Sequence, residues 1–149
     1  MTEGTTLQIE QLIDASREVV FAVWTTRAAM ESWYQDGDGW VARVTELDVR
    51  PGGRYRVEFG PPGEKPFVES GVYLEIDPPS RLVMTETIEG VDSPWADTRV
   101  TVELRDEGGK TRLVLVHEGF PSAHERDLAA GGWPGFLDRI ESIVRSRAS

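Results

Sequence analysis

Residues 41–116 alternate apolar and polar side chains with a period of two, and residues 133–144 then switch to the spacing of one helical face. Few architectures satisfy both halves. A run of antiparallel strands has one face to bury, and a single amphipathic helix that follows it is the nearest cover. Strand twist curls a sheet of that width around such a helix. A curved sheet closing over one helix makes a cavity.

The alternation is punctuated by turn chemistry. Residues 41–49 read as a strand, and Pro51-Gly52-Gly53 reverses the chain. Residues 53–59 pair back, with Tyr55, Val57 and Phe59 on one face and Arg54, Arg56 and Glu58 on the other. The Pro/Gly-rich stretch 60–66 separates the next strand, 67–76, and Asp77-Pro78-Pro79-Ser80 is another turn. Strands over 82–88, 98–104 and 111–116 follow, the last two joined at Gly108-Gly109. Upstream, residues 7–13 alternate as a first strand, and Ser16 is placed to cap a helix. Val19, Val20, Val23 and Trp24 share a helical face, and Ala29, Met30, Trp33 and Tyr34 repeat that spacing after Thr25-Thr26. The last helix is expected to begin at Trp133, because Gly131-Gly132 costs ~1 kcal/mol per glycine inside a helix. The predicted class is α+β: strand, two short helices, six antiparallel strands and one long helix, in a single domain over residues 1–149.

Composition narrows the partners. Sixteen Lys and Arg against twenty-six Asp and Glu leave a net charge of −10, which disfavours nucleic acid or an anionic membrane. The absence of cysteine excludes disulfides, thiolate metal sites and cysteine nucleophiles. Residues 1–6 are polar and lack the pattern of a signal peptide, and no apolar run approaches the ~20 residues of a membrane span. A soluble, cytoplasmic protein is the expectation, with homodimerisation left open. The two histidines, His117 and His124, lack paired ligand spacing, so no metal site is expected. Gly52-Gly53 opens no helix, so it is no phosphate cradle, and no GxSxG elbow occurs. No cofactor is expected.

The order of elements and several short words resemble the START-like, helix-grip superfamily (also grouped as SRPBCC). Within it, the chain is most similar to the family of the C-terminal domain of the activator of the heat-shock-protein-90 ATPase. The matching words are Val23-Trp24, Trp33, Asp48-Val49-Arg50-Pro51-Gly52-Gly53, and Gly71 through Glu75-Ile76-Asp77-Pro78-Pro79-Ser80-Arg81-Leu82. His117-Glu118-Gly119-Phe120 and Gly132-Trp133 complete the set. The resemblance implies a cavity between sheet and helix, as in pollen allergens, lipid carriers, hormone receptors and aromatic polyketide cyclases. It implies no particular reaction.

Strand parity places side chains in that cavity. Continuing from Tyr55, Val57 and Phe59, it puts Val72, Leu74 and Ile76 inside, with Leu82, Met84, Glu86 and Ile88 on the next strand. Val100, Val102, Leu104, Leu113, Leu115 and His117 follow. Glu86 and His117 are the two polar members. Glu86 stands where the resemblance implies a large aromatic, and a carboxyl desolvated among apolar walls is suited to proton transfer or to holding a ligand. His117 is either an acid, a base or a ligand donor, or a hydrogen-bonded support for the turn that follows. Trp40 and Trp95 lie near loops, where Trp95 could form part of a lid.

The expected function is binding of a small hydrophobic or amphipathic molecule. Its walls are Tyr55, Phe59, Met84, Leu115, Trp133, Phe136 and Leu137, and its polar anchors are Glu86 and His117. The alternative is an enzyme, a cyclase, dehydratase or hydrolase of aromatic or polyketide-like substrates, with Glu86 as general acid or base and His117 or Tyr73 as helper. Chaperone-ATPase activation is a third and weaker reading, because the activators that name the family carry an additional N-terminal domain.

Overall fold

The computed structural model describes residues 5–35 and 39–148. The elements run β1 (Thr6–Ile13), α1 (Arg17–Thr25), α2 (Arg27–Trp33), β2 (Val41–Leu47), β3 (Arg54–Gly60), β4 (Phe67–Asp77), β5 (Arg81–Glu89), β6 (Trp95–Glu107), β7 (Lys110–Glu118) and α3 (Ala123–Ala148). This is the α+β order the periodicity predicts. The seven strands form one antiparallel sheet in the order β1-β7-β6-β5-β4-β3-β2. The sheet is curved and α3 fills its concave side, with α1 and α2 packed against α3. No helix among the described residues is long and apolar enough to cross a membrane.

Local chemistry explains the elements that frame the interior. Ser16 accepts the Val19 N–H in its side chain at 3.4 Å and starts α1, whose Val20, Phe21, Val23 and Trp24 are buried. The β2–β3 reversal closes with Asp48 N–H donating to Arg54 O at 2.9 Å and Gly53 N–H donating to Arg50 O at 2.8 Å. Gly52 adopts φ +85°, and a Cβ on Gly53 would lie 1.9 Å from Asp48 O, so both positions demand glycine. The same turn extends the sheet: Gly52 N–H donates to Tyr73 O and Tyr73 N–H donates to Gly53 O.

Three expectations need correction. Helix α3 begins at Ala123, ten residues before Trp133, and carries Gly131, Gly132 and Pro134 inside it. Ser122 accepts the His124 N–H at 3.2 Å at its start. Buried Ala129, Trp133, Leu137, Ile140 and Val144 then supply a continuous apolar stripe, which outweighs the poor local propensity. Neither glycine is there for close approach, since a Cβ on either would meet nothing within 4 Å.

The second correction concerns β4. Pairing with β3 sets Tyr55 opposite Gly71, Val57 opposite Glu69 and Phe59 opposite Phe67, so Phe67, Glu69, Gly71 and Tyr73 face inward. The β4–β5 register then shifts between Tyr73 and Glu75, which restores Ile76 to the inner face beside Leu82. Leu74 is exposed and Tyr73 is buried, the reverse of the alternation read from the sequence.

The third concerns the sixth strand, expected over 98–104: β6 begins three residues earlier, at Trp95. A register shift between Glu86 and Ile88 accommodates it, with Asp97 at φ +53° and the Asp97 N–H donating to Thr87 Oγ1 at 2.9 Å. The bulge turns the Trp95 ring back over the inner face.

Candidate functional site

A cavity of about 210 Å³ opens between α3 and strands β3–β6. The sheet side presents Phe59, Phe67, Glu69, Glu86, Ile88 and Trp95. The helix side presents Leu128, Ala129, Gly132, Trp133 and Phe136, while Trp33 and Trp40 close the end nearest α2. Leu128, 49% exposed, stands at the mouth. Deeper in lies a chamber of about 10 Å³, lined by Trp24, Met30, Tyr34, Tyr55, Tyr73 and Met84. Trp33, Glu69, Glu86 and Trp133 border both spaces.

The aromatic walls are ordered by one another. Trp33 stacks on Tyr34 with ring centroids 4.4 Å apart, and Phe136 meets Trp33 edge-on at 6.1 Å and Tyr34 at 5.6 Å. Trp24 tilts against both Trp33 at 5.5 Å and Trp133 at 6.1 Å. Such contacts fix ring positions beyond what area burial alone would do. These ring contacts frame the apolar walls of the cavity.

Two carboxyls interrupt this apolar lining. Glu69, 7% exposed, accepts a hydrogen bond on Oε2 from the Tyr34 hydroxyl. Burial raises its pKa from 4.5 to about 7, and the Tyr34 bond restrains the rise. Glu86, 5% exposed, accepts from the Trp95 indole N–H on Oε1 at 3.1 Å. Burial pushes its carboxyl well above the usual range, and the nearby Glu69 charge pushes it further. Tyr34 and Tyr55 are raised for the same two reasons, burial first.

His117 lies behind Glu86, fully buried. The Trp133 indole N–H donates to its Nδ1 at 3.0 Å. Its Nε2 lies 2.8 Å from Thr98 Oγ1, and that hydroxyl donates to the Glu86 carbonyl at 2.7 Å. Since the Thr98 proton is committed to the carbonyl, Nε2 must carry the hydrogen and donate to Thr98. The ring is thus a neutral Nε2–H tautomer with both nitrogens occupied. Burial drives its pKa down to about 3. The 3.6 Å approach of His117 Nε2 to Glu86 Oε1 therefore sets a neutral imidazole beside the carboxyl and is not an ion pair.

The residues singled out from the sequence fall into three places. Phe59, Glu86, Trp133 and Phe136 line the larger cavity, and Tyr55 and Met84 line the inner chamber. Leu115, His117 and Leu137 are buried in the packed core and line neither space. Glu69 was missed, because the bulge at Leu74 reverses the alternation of β4. Gly71 was the available signal: a Cβ there would lie 2.0 Å from Thr85 O and 2.8 Å from the Tyr55 ring, so Gly71 and its neighbours two apart face the interior. Leu128, Ala129 and Gly132 were missed with the first turns of α3. Among the described residues no group of three or more His, Cys, Asp or Glu could hold a metal.

A curved antiparallel sheet that grips a C-terminal helix across an aromatic cavity defines a helix-grip protein. The chain belongs to the family described as Activator of Hsp90 ATPase homolog 1-like protein, which it matches over residues 14–145. Among solved structures it is similar to a protein of Chromobacterium violaceum at 27% identity, with a TM-score of 0.82 over 94% of this chain and 96% of that one. A protein of Nitrosomonas europaea superposes with a TM-score of 0.79 at 18% identity, covering 99% of this chain and 98% of that one. The AHSA1-like protein of Aeromonas hydrophila gives 0.77 at 21% identity, covering 95% and 93%. The last two likenesses, at those identities, speak to fold.

Proposed function

We propose that this protein binds a small hydrophobic or amphipathic molecule in the cavity between α3 and the sheet. The observation that carries this reading is the space of about 210 Å³, walled by aromatic rings and interrupted by the two carboxyls Glu69 and Glu86. Apolar walls supply affinity at ~25 cal/mol per Å² of ligand surface buried. A few convergent polar groups then orient the ligand. The test is thermal unfolding against fatty acids, flavonoids, polyketide-like aromatics and amphipathic amines. A ligand at ~100 times its Kd adds about 2.7 kcal/mol, a rise of several degrees for a chain of this size. No rise across the panel would overturn the reading.

The same carboxyls support a second reading, acid–base catalysis on a cavity-bound substrate. Burial raises both carboxyls above their ordinary range, which suits them to exchange protons with a bound substrate. Turnover of any bound compound that survives both Glu69→Gln and Glu86→Gln would exclude it. Neither reading requires a chaperone partner.

A further inference from the structure

Glu69 and Glu86 are buried carboxyls on adjacent strands, and neither has a cationic partner among the described residues. The basic side chain nearest to either is His117, and its two nitrogens are committed to Trp133 and Thr98 in the neutral form. Tyr34 and Tyr55 face Glu69 from α2 and β3, and Trp95 faces Glu86 from β6; none of these carries positive charge. Each carboxyl gives one oxygen to a protein donor, Tyr34 on Glu69 Oε2 and Trp95 on Glu86 Oε1. The second oxygen of each, Glu69 Oε1 and Glu86 Oε2, accepts no hydrogen bond from the described residues. Both carboxyls line the cavity, so the unmet acceptors are presented to whatever occupies it.

The remaining walls suit one sign of charge. Trp33, Trp95, Trp133 and Phe136 line the cavity with the acidic pair, and aromatic rings attract cations; the Arg139 guanidinium already lies 4.7 Å from the Phe136 ring centroid. An anionic head group would meet two carboxyls and ring quadrupoles of the wrong sign. The net charge of −10 draws cations toward the protein in addition.

From this we infer that the cavity is selective for a hydrophobic organic cation, an aromatic or alkyl amine whose nitrogen sits against Glu69 and Glu86 and whose apolar body lies on the tryptophans. The inference rests on the ligand-binding reading and names the class of ligand. Both carboxyls are shifted toward the protonated form when the cavity holds no cation, so seating an ammonium group expels a proton.

Three probes with one skeleton separate the possibilities: 3-phenylpropan-1-amine, 3-phenylpropan-1-ol and 3-phenylpropanoate, titrated calorimetrically near pH 6. The amine is expected to bind at least tenfold more tightly than the alcohol, and the carboxylate most weakly. Repeating the amine titration in buffers of different ionisation enthalpy should show proton release, absent with the alcohol. Glu69→Gln and Glu86→Gln should each reduce the preference for the amine over the alcohol and the proton release that accompanies amine binding. Should either variant fail to fold, proton release by the unmodified protein decides. Alcohol or carboxylate binding as tightly as the amine overturns the cation inference and leaves the cavity reading standing. An amine preference without proton release, and indifferent to both substitutions where the variants fold, also overturns it. No binding of any of the three overturns both.

Discussion

The Trp133 indole N–H donates to His117 Nδ1 at 3.0 Å, so a cavity-wall residue sets the protonation state of a histidine that never reaches the cavity. With Nδ1 an acceptor and Nε2 committed to Thr98, adding a proton would require breaking one of two buried hydrogen bonds. His117 is thereby a fixed strut between β7, β6 and α3, and it holds the Glu86 backbone through Thr98.

The tautomer is directly observable. Long-range proton–nitrogen NMR correlations should show His117 as Nε2–H and unprotonated through pH 5, while burial holds its pKa near 3. Titration of His117 near its ordinary 6.5 would refute the arrangement. Trp133→Phe, which strands Nδ1 without a donor, should cost about 1–3 kcal/mol in urea unfolding.

Stability should peak on the acid side. A carboxyl raised in the folded state binds protons that the unfolded chain has already lost, so Glu69 removes stability as pH climbs from 4.5 to about 7, on the order of 3 kcal/mol in full. Glu86 acts in the same direction. His117, depressed in the fold, removes stability as pH falls from 6.5 toward 3. The two carboxyls outweigh the histidine above 4.5, and the histidine prevails below it. Urea unfolding should therefore show a maximum near pH ~5, and between pH ~5 and ~8 the unmodified protein should lose about 2–3 kcal/mol more than Glu69→Gln. Equal losses in the two proteins would show that Glu69 is ionised at its ordinary pKa.

Glycines in this chain divide by what surrounds them. Gly132→Ala meets nothing within 4 Å and should stabilise α3 by up to ~1 kcal/mol. Gly71→Ala, with its new methyl 2.0 Å from Thr85 O, should destabilise by about 3 kcal/mol or more. Thermal unfolding of the two variants, moving in opposite directions, checks both.

Two neighbouring tryptophans should respond differently to loss of the indole nitrogen. The Trp33 N–H donates to Val23 O at 2.9 Å, whereas the Trp24 N–H is buried with no acceptor among the described residues. Trp33→Phe should cost about 1 kcal/mol more than Trp24→Phe, the net worth of one hydrogen bond. Equal costs would indicate that the Trp33 bond contributes nothing.

The order of elements along the chain, the turn at Pro51-Gly52-Gly53 and the inward Glu86 were all readable from the sequence, because period-two patterning and glycine chemistry act locally. What escaped was set by partners distant in sequence. Glu69 faces inward because β4 takes its register from β3 before the bulge at Leu74, and no residue in β4 announces that extra position. The ten residues before Trp133 fell outside the expected helix because Gly131-Gly132 disfavours one, yet Ala129 is buried there and pins them. Trp95 fell outside the strand expected from residue 98, because its pairing with Ile88 depends on the bulge beside Asp97.

The strand order also bears on how the chain is made. Thr6 pairs with Glu118, and β1 has its sole sheet neighbour in β7. On the ribosome, β1 emerges before every other strand and waits for β7, the last strand of the sheet to be made, with an unsatisfied edge meanwhile. The meander from β2 to β7 can assemble as it appears, each strand finding its neighbour a few residues away. Docking of β1 is then the step that closes the longest loop in the sheet, and it waits until β7 has been made.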